Sequence, residues 1–71
     1  MAAKFNPKVS ILLNCYNEEK NITKAIKSVL SQSFKNYELI IWDDGSTDKT
    51  LKIIKTFKDK RIKIFKNKIN L

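Results

Sequence analysis

The sequence predicts an α/β fold: a βαβαβ unit with a parallel three-stranded sheet in the order 3-2-1 and both helices on one face. Three observations carry this. Short runs rich in apolar residues recur at Val9–Leu13, Glu38–Trp42 and Arg61–Phe65. Between them lie two stretches whose apolar residues return every three or four positions. The middle run then ends abruptly in Asp43-Asp44-Gly45, and Gly45 is the only glycine of the chain. Runs with a two-residue period alternating with stretches of helical period make crossover units with a parallel sheet. Crossovers are nearly always right-handed, which places both helices on the same face.

Residues 1–7 read as a flexible leader, with Pro7 setting an extended entry, and residues 8–71 as the folded part. Val9 to Leu13 is the first strand, apolar and β-branched at its start. Asn14 to Glu19 is a loop at its carboxyl end. Asn17 is placed to cap the first helix, with Glu18 and Glu19 suited to the positive end of its dipole. That helix runs to about Ser31, with Ile22, Ala25, Ile26, Val29 and Leu30 forming one apolar stripe. A polar connection, Ser33 to Asn36, carries one apolar anchor, Phe34.

Glu38 to Trp42 is the second strand, and its continuous apolar character predicts burial on both faces, Trp42 included in the core. Gly45 allows a sharp turn. Ser46 or Thr47 can cap the second helix, with Asp48 in its first turn. That helix runs from about Thr47 to Phe57, with Leu51, Ile54 and Phe57 at three-residue steps and Ile53 beside them. Asp59-Lys60 is a turn, Arg61 to Phe65 the third strand, and Asn67 to Leu71 a tail. In a complete doubly wound sheet the first strand is central and further strands continue beyond it. The chain therefore reads as the truncated first half of a nucleotide-binding fold.

Composition narrows the chemistry. No histidine is present, which removes histidine triads and histidine metal sites. The single cysteine, Cys15, cannot form an internal disulfide, and a reduced, cytoplasmic setting follows. With no histidine partner and no adjacent basic cluster, Cys15 is not expected to act as a nucleophile. No stretch approaches the ~20 apolar residues needed to span a bilayer. Neither a G-x-G-x-x-G nor a G-x-x-x-x-G-K-[ST] motif occurs, and Asp44 to Asp48 lacks the spacing of a calcium loop. The net charge is +8, and nine of the fifteen basic residues lie from Lys49 onward. Such an excess admits a small basic module that binds nucleic acid or an anionic membrane without catalysis. Nucleic acid is not expected as a partner, because no aromatic residues are interleaved as stacking platforms. A peripheral membrane contact stays open.

Adjacent residues on an extended segment point to opposite sides, so Asp43 and Asp44 do not pair as acid and base. One can face a ligand crevice at the carboxyl end of the sheet while the other braces the loop. Tyr16 can stack on a base or cover the core.

Three ordered motifs then point to a family. Val9-Ser10-Ile11-Leu12-Leu13-Asn14-Cys15-Tyr16-Asn17-Glu18-Glu19, Ser28-Val29-Leu30-Ser31-Gln32-Ser33-Phe34 and Trp42-Asp43-Asp44-Gly45-Ser46-Thr47-Asp48 together resemble the start of inverting family 2 glycosyltransferases with the GT-A fold. The common first motif has Pro-Thr where this chain has Asn14-Cys15. The resemblance implies transfer of a sugar from a nucleotide donor, a UDP-sugar, to a hydroxyl of a glycan or lipid-linked acceptor, with inversion. It maps the aspartate that contacts uracil or ribose onto Asp44 and favours a nucleotide role for Tyr16, with Asn14 beside it and Glu18 reaching the ribose or base edge. The candidate nucleotide-binding set is Asn14, Tyr16, Glu18, Asp43, Asp44 and Gly45. The family's Asp-x-Asp motif, which holds a divalent Mg or Mn ion on the diphosphate, and its general base lie further downstream. No catalytic residue and no metal ligand is therefore expected within these 71 residues, and no metal is expected bound to them. The bare first strand and open sheet face of such a half predict a homodimer.

Overall fold

The structure, a computed structural model, describes residues 7–67. The leader before Pro7 and the tail beyond Asn67 lie outside the described residues. The element order is β1 (Val9–Cys15), α1 (Ile22–Leu30), β2 (Tyr37–Asp43), α2 (Thr50–Ile54) and β3 (Ile62–Lys66). The three strands form one parallel sheet in the order β1-β2-β3, the 3-2-1 arrangement expected. Both pairings are in simple register, with Cys15 opposite Asp43 and Asp43 opposite Lys66 at the carboxyl end.

The alternation of strand side chains sets the core. Tyr37, Leu39 and Ile41 on β2 are fully buried and pack with Ile22 and Ile26 of α1, Ile54 of α2, and Cys15. Ile11 and Leu13 of β1 and Ile62 and Ile64 of β3 pack around them, half-buried. The helices therefore lie on one face of the sheet, and α1 buries the stripe its sequence spacing predicts. At the opposite end of the sheet from the aspartate loop, Arg61 forms an ion pair with Asp59 at 2.8 Å and stacks 4.7 Å from the centre of the Tyr37 ring. The Tyr37 hydroxyl donates to the Val29 carbonyl at 2.9 Å, so this end of the core is tied to α1.

Four expectations are corrected. β2 is buried on its helix side only: Ile40 is half-buried and Trp42 is 37% exposed. Because Leu39 and Ile41 face the helices, the two-residue period turns Trp42 the other way, onto a face that no helix among the described residues covers. There it stacks on Phe65 with ring centres 6.0 Å apart and planes 24° from parallel. Second, Asn17 does not cap α1. It holds φ 51°, a left-handed geometry that stops the helix from reaching back to it, and α1 starts at Ile22 with Asn21 in the capping position. Third, α2 does not begin at Thr47 with Ser46 or Thr47 as its cap. The Asp48 carboxylate receives the Thr50 backbone N–H at 2.9 Å, and the helix starts at Thr50. Fourth, α2 ends at Ile54 rather than Phe57. Thr56 and Phe57 bond back three residues to the Ile53 and Ile54 carbonyls at 3.0 and 3.1 Å, a tighter turn that closes the helix.

Candidate functional site

Parallel pairing carries β1 and β2 to the same level, so the loops that follow them emerge side by side. Five of the seven acidic residues of this basic chain lie in or at the edge of those loops: Glu18, Glu19, Asp43, Asp44 and Asp48. The loops are stitched together by hydrogen bonds. Asn17 donates its backbone N–H to the Ser46 hydroxyl at 2.9 Å and accepts the Thr47 backbone N–H on its side-chain oxygen at 2.8 Å. Glu18 donates its N–H to the Thr50 hydroxyl at 2.7 Å, and Glu19 donates its N–H to the Asp48 carboxylate at 3.2 Å. The Asp44 N–H reaches the Cys15 carbonyl at 2.9 Å. Gly45 turns the chain with φ 81°, a value open to glycine at no steric cost.

The adjacent aspartates point to opposite sides, as their spacing requires. Asp43 faces the helices and is 2% exposed. Its carboxylate accepts the Ser46 N–H at 3.2 Å, the Ser46 hydroxyl, and the Cys15 thiol at 3.7 Å. It braces the loop from inside, on the side of the sheet away from Asp44, and borders a hollow with Gly45, Ser46 and Thr47. Burial pushes the Cys15 thiol up to about 11, helped by the neighbouring Asp43 charge. Cys15 is thus held as a neutral donor.

Asp44 is exposed and faces the open side of the sheet. Asn67 donates to one of its oxygens at 2.7 Å. With Leu12, Asn14 and Trp42 it lines a depression of about 400 Å³. Of the candidates, the structure brings Asn14 and Asp44 together here. Glu18 lies elsewhere: it lines a smaller hollow of about 120 Å³ beneath the start of α1, with Cys15, Asn21 and Ile22. Asn14 borders both hollows. Gly45 borders a third, with Asp43, Ser46 and Lys66. Tyr16 is 43% exposed on the loop rim. Sequence reading missed Asn67, Thr50 and the bridging part of Asn17. Each makes a contact with a residue more than twenty positions away in the chain, and no local pattern marks it.

No three metal-ligating side chains converge among the described residues. No set of ligands for the divalent ion implied by the resemblance converges there: Asp43 is committed to the loop, and Glu38, the other β2 carboxylate on Asp44's side of the sheet, lies at the far end bonded to Ser10.

Residues 10–71 match the profile of glycosyl transferase family 2. The chain belongs to that family. EpsE of Bacillus subtilis, which carries the name of a glycosyltransferase, is 49% identical over 67 residues, covering 90% of this chain and 24% of EpsE. The Escherichia coli enzyme WfaP, named as a glucosyltransferase from UDP-Glc to GlcNAc-diphosphoundecaprenol, is 49% identical over 59 residues, covering 83% of this chain and 24% of WfaP. Among solved structures, residues 1–349 of TarS from S. aureus superpose with a TM-score of 0.81 at 35% identity, covering 89% of this chain and 20% of that one. The chain thus spans about a quarter of the length of these relatives. The family 2 chain carries the GT-A-like α/β arrangement of TarS in its three parallel strands and flanking helices.

Proposed function

We propose that this family 2 chain supplies part of the donor pocket of a glycosyltransferase that moves a sugar from a UDP-sugar to a glycan or lipid-linked hydroxyl acceptor with inversion. The observation that carries the reading is Asp44. It is an exposed carboxylate at the carboxyl end of the central strand, oriented by Asn67 and set beside Asn14 over an open depression. Open α/β sheets bind ligands at this end of their strands. The free oxygen of Asp44 is an acceptor for the uracil N–H or a ribose hydroxyl. Asn14 offers both a donor and an acceptor to the base edge, and Tyr16 on the rim offers a ring face. Glu18, beneath α1, belongs to the same reading only if the ribose reaches around Asn14. Asp43 and Gly45 act from behind by holding the loop. The UDP preference is supported by the donor in WfaP's name, and the lipid-linked acceptor likewise.

The divalent ion belongs to parts of the enzyme other than these residues, and the chain's own contribution is recognition of the nucleoside. A cytoplasmic setting agrees with one unpaired, buried cysteine. No helix among the described residues is long and apolar enough to cross a membrane. Alone, the chain is expected to self-associate.

NMR titration with UDP and with ADP tests the pocket. The expected result is millimolar binding, worth about 4 kcal/mol, with UDP shifting the amides of Asn14, Tyr16 and Asp44. An equal response to both nucleotides, or shifts confined to lysine-rich surfaces, would overturn it.

A further inference from the structure

The outer face of α1 has no part in the donor pocket, and its chemistry is of one kind. Lys24 and Lys27 lie three apart on one side of α1, and Lys20, in the turn that leads into the helix, lines the same groove. With Thr23, Ser28 and Ser31 they line an open groove of about 520 Å³, so the six residues around it carry three ammonium groups and three hydroxyls on largely apolar stems. No acidic residue occurs between Glu19 and Glu38, so no carboxylate on this segment neutralises the stripe. At its end the connection to β2 exposes Phe34 at 51% and continues to Lys35, whose ammonium donates to the Leu30 carbonyl at 3.2 Å.

We infer that this face of α1 docks on an anionic lipid surface, with phosphate headgroups in the lysine–hydroxyl groove and Phe34 entering the interface. Lysine is a compact charge suited to many phosphates in a plane, and each such residue near an anionic leaflet adds about fivefold to the affinity. An aromatic side chain next to a basic helix face adds the apolar contact that such binding uses. The second lysine-rich region differs. Lys52 sits on the short α2 and Lys49 and Lys55 cap its two ends, with Asp48 and Asp59 on its two sides in sequence and no exposed aromatic residue between them. Nucleic acid fits the α1 face less well. It presents no arginine fork for bidentate phosphate contacts and a single aromatic residue where a strand of bases needs a series. The face lies across the helix layer from the open side of the sheet, so docking and nucleotide binding are separate properties of the chain.

Vesicle co-sedimentation tests this, using phosphatidylcholine alone and with phosphatidylglycerol, at low and at moderate salt. The chain should bind the phosphatidylglycerol vesicles, more weakly as salt rises, and leave phosphatidylcholine largely unbound. Changing Lys20→Gln, Lys24→Gln and Lys27→Gln together should weaken binding by about 100-fold. Glutamine matches lysine in helix propensity and the sites are exposed, so the fold is retained. Changing Lys52→Gln, Lys55→Gln and Lys58→Gln, with the same loss of charge, should weaken it no more than about threefold. Brominated lipid should leave Trp42 fluorescence unchanged, since that ring lies on the other side of the sheet. It should quench the indole introduced by Phe34→Trp in a Trp42→Phe background. Equal losses in the two triple variants, quenching of Trp42, or absence of vesicle binding at low salt would each overturn the assignment. Tighter binding to single-stranded RNA than to vesicles at matched salt would overturn it in favour of nucleic acid.

Discussion

The side-chain oxygen of Asn17 accepts the backbone N–H of Thr47 at 2.8 Å, tying the loop after β1 to the loop after β2. The Asn17 amide group also reaches the Thr47 hydroxyl at 3.3 Å, and its backbone N–H reaches Ser46. These bonds hold Asn14 and Asp44 in a fixed relation, and they depend on the left-handed backbone of Asn17, φ 51°. Glycine at this position keeps the backbone but loses the side-chain bonds, at a cost of about 1 kcal/mol. Alanine loses the same bonds and also resists the backbone angle, adding about 1–2 kcal/mol. Urea denaturation should therefore rank wild type above Asn17→Gly above Asn17→Ala. Equal stability of the two variants would show that the backbone angle is without cost here.

The contrast between Asn17 and the strands shows what could be read from the chain alone. Strand order, helix face and the α1 stripe follow from hydrophobic periods and the handedness of crossovers, all local or topological rules. The opposite facing of Asp43 and Asp44 follows from the same two-residue period. Which of them is free depends on what lies on each side: Ser46 and Cys15 close around Asp43, while only Asn67 approaches Asp44 among the described residues. Asn17 has the residue type of a helix cap, and only the fold reveals that its partner is Thr47 instead. Trp42 departs from its expected burial for a related reason. An apolar run predicts two covered faces, but covering one of them needs a layer that these residues do not provide.

The two aspartates should separate cleanly on substitution. Asp44→Ala removes an exposed acceptor and should abolish UDP-dependent amide shifts with stability changed by less than about 0.5 kcal/mol. Asp43→Ala leaves the Ser46 N–H and the Cys15 thiol without their acceptor in a buried setting, and should cost about 2–3 kcal/mol. Thermal melts and UDP titrations of both variants decide this. Equal stability losses would mean that Asp43 does not brace the loop.

Cys15 carries a pH signature. Its thiol is raised from an ordinary value of 9.0 to about 11, first by burial and then by the Asp43 charge. Between these values the unfolded thiol has lost its proton and the folded one has kept it, so stability falls as pH rises through that window. Reaction with a disulfide reagent at pH 8 should be slower than for a free thiol by about 100-fold, and should accelerate on unfolding. Reaction at the rate of a model thiol in the folded state would contradict the buried contact with Asp43. Cys15→Ala should remove the alkaline fall in stability.

At the other end of the sheet, the Arg61 guanidinium bonded to Asp59 holds the carboxyl at about 2, below its ordinary 3.8. A depressed carboxyl contributes its stability above the unfolded value and loses it as pH falls through the folded one, here between about 4 and 2. The contribution is at most about 2 kcal/mol, with some of it screened because the pair is partly exposed. Asp59→Asn should flatten the acid limb of the stability curve over that window while leaving the alkaline limb to Cys15. An unchanged acid limb would place the acid sensitivity on other carboxylates.

The last prediction concerns self-association. Among the described residues β1 pairs with β2 on one side only, and Val9 and Leu12 are exposed along it. No charged side chain or proline lies between Val9 and Cys15, so the edge lacks the features that usually keep strands apart. On the uncovered sheet face Leu12, Trp42 and Phe65 are exposed, with Ile40 half-buried beside them. Such a patch favours association. The net charge of +8 opposes it, and added salt weakens that repulsion more than it weakens apolar contact. Sedimentation equilibrium should therefore show a monomer–dimer equilibrium that shifts toward dimer as salt rises. Phe65→Lys distinguishes the two surfaces, because β3 lies on the far side of β2 from the β1 edge. If the faces stack, this change removes a buried ring worth about 1.5–3 kcal/mol and weakens the dimer by about tenfold or more. If edges pair, it leaves the dimer nearly unchanged, and Leu12→Lys is the change that disrupts it. A well-folded monomer at both salt concentrations would show that neither the edge nor the face drives association.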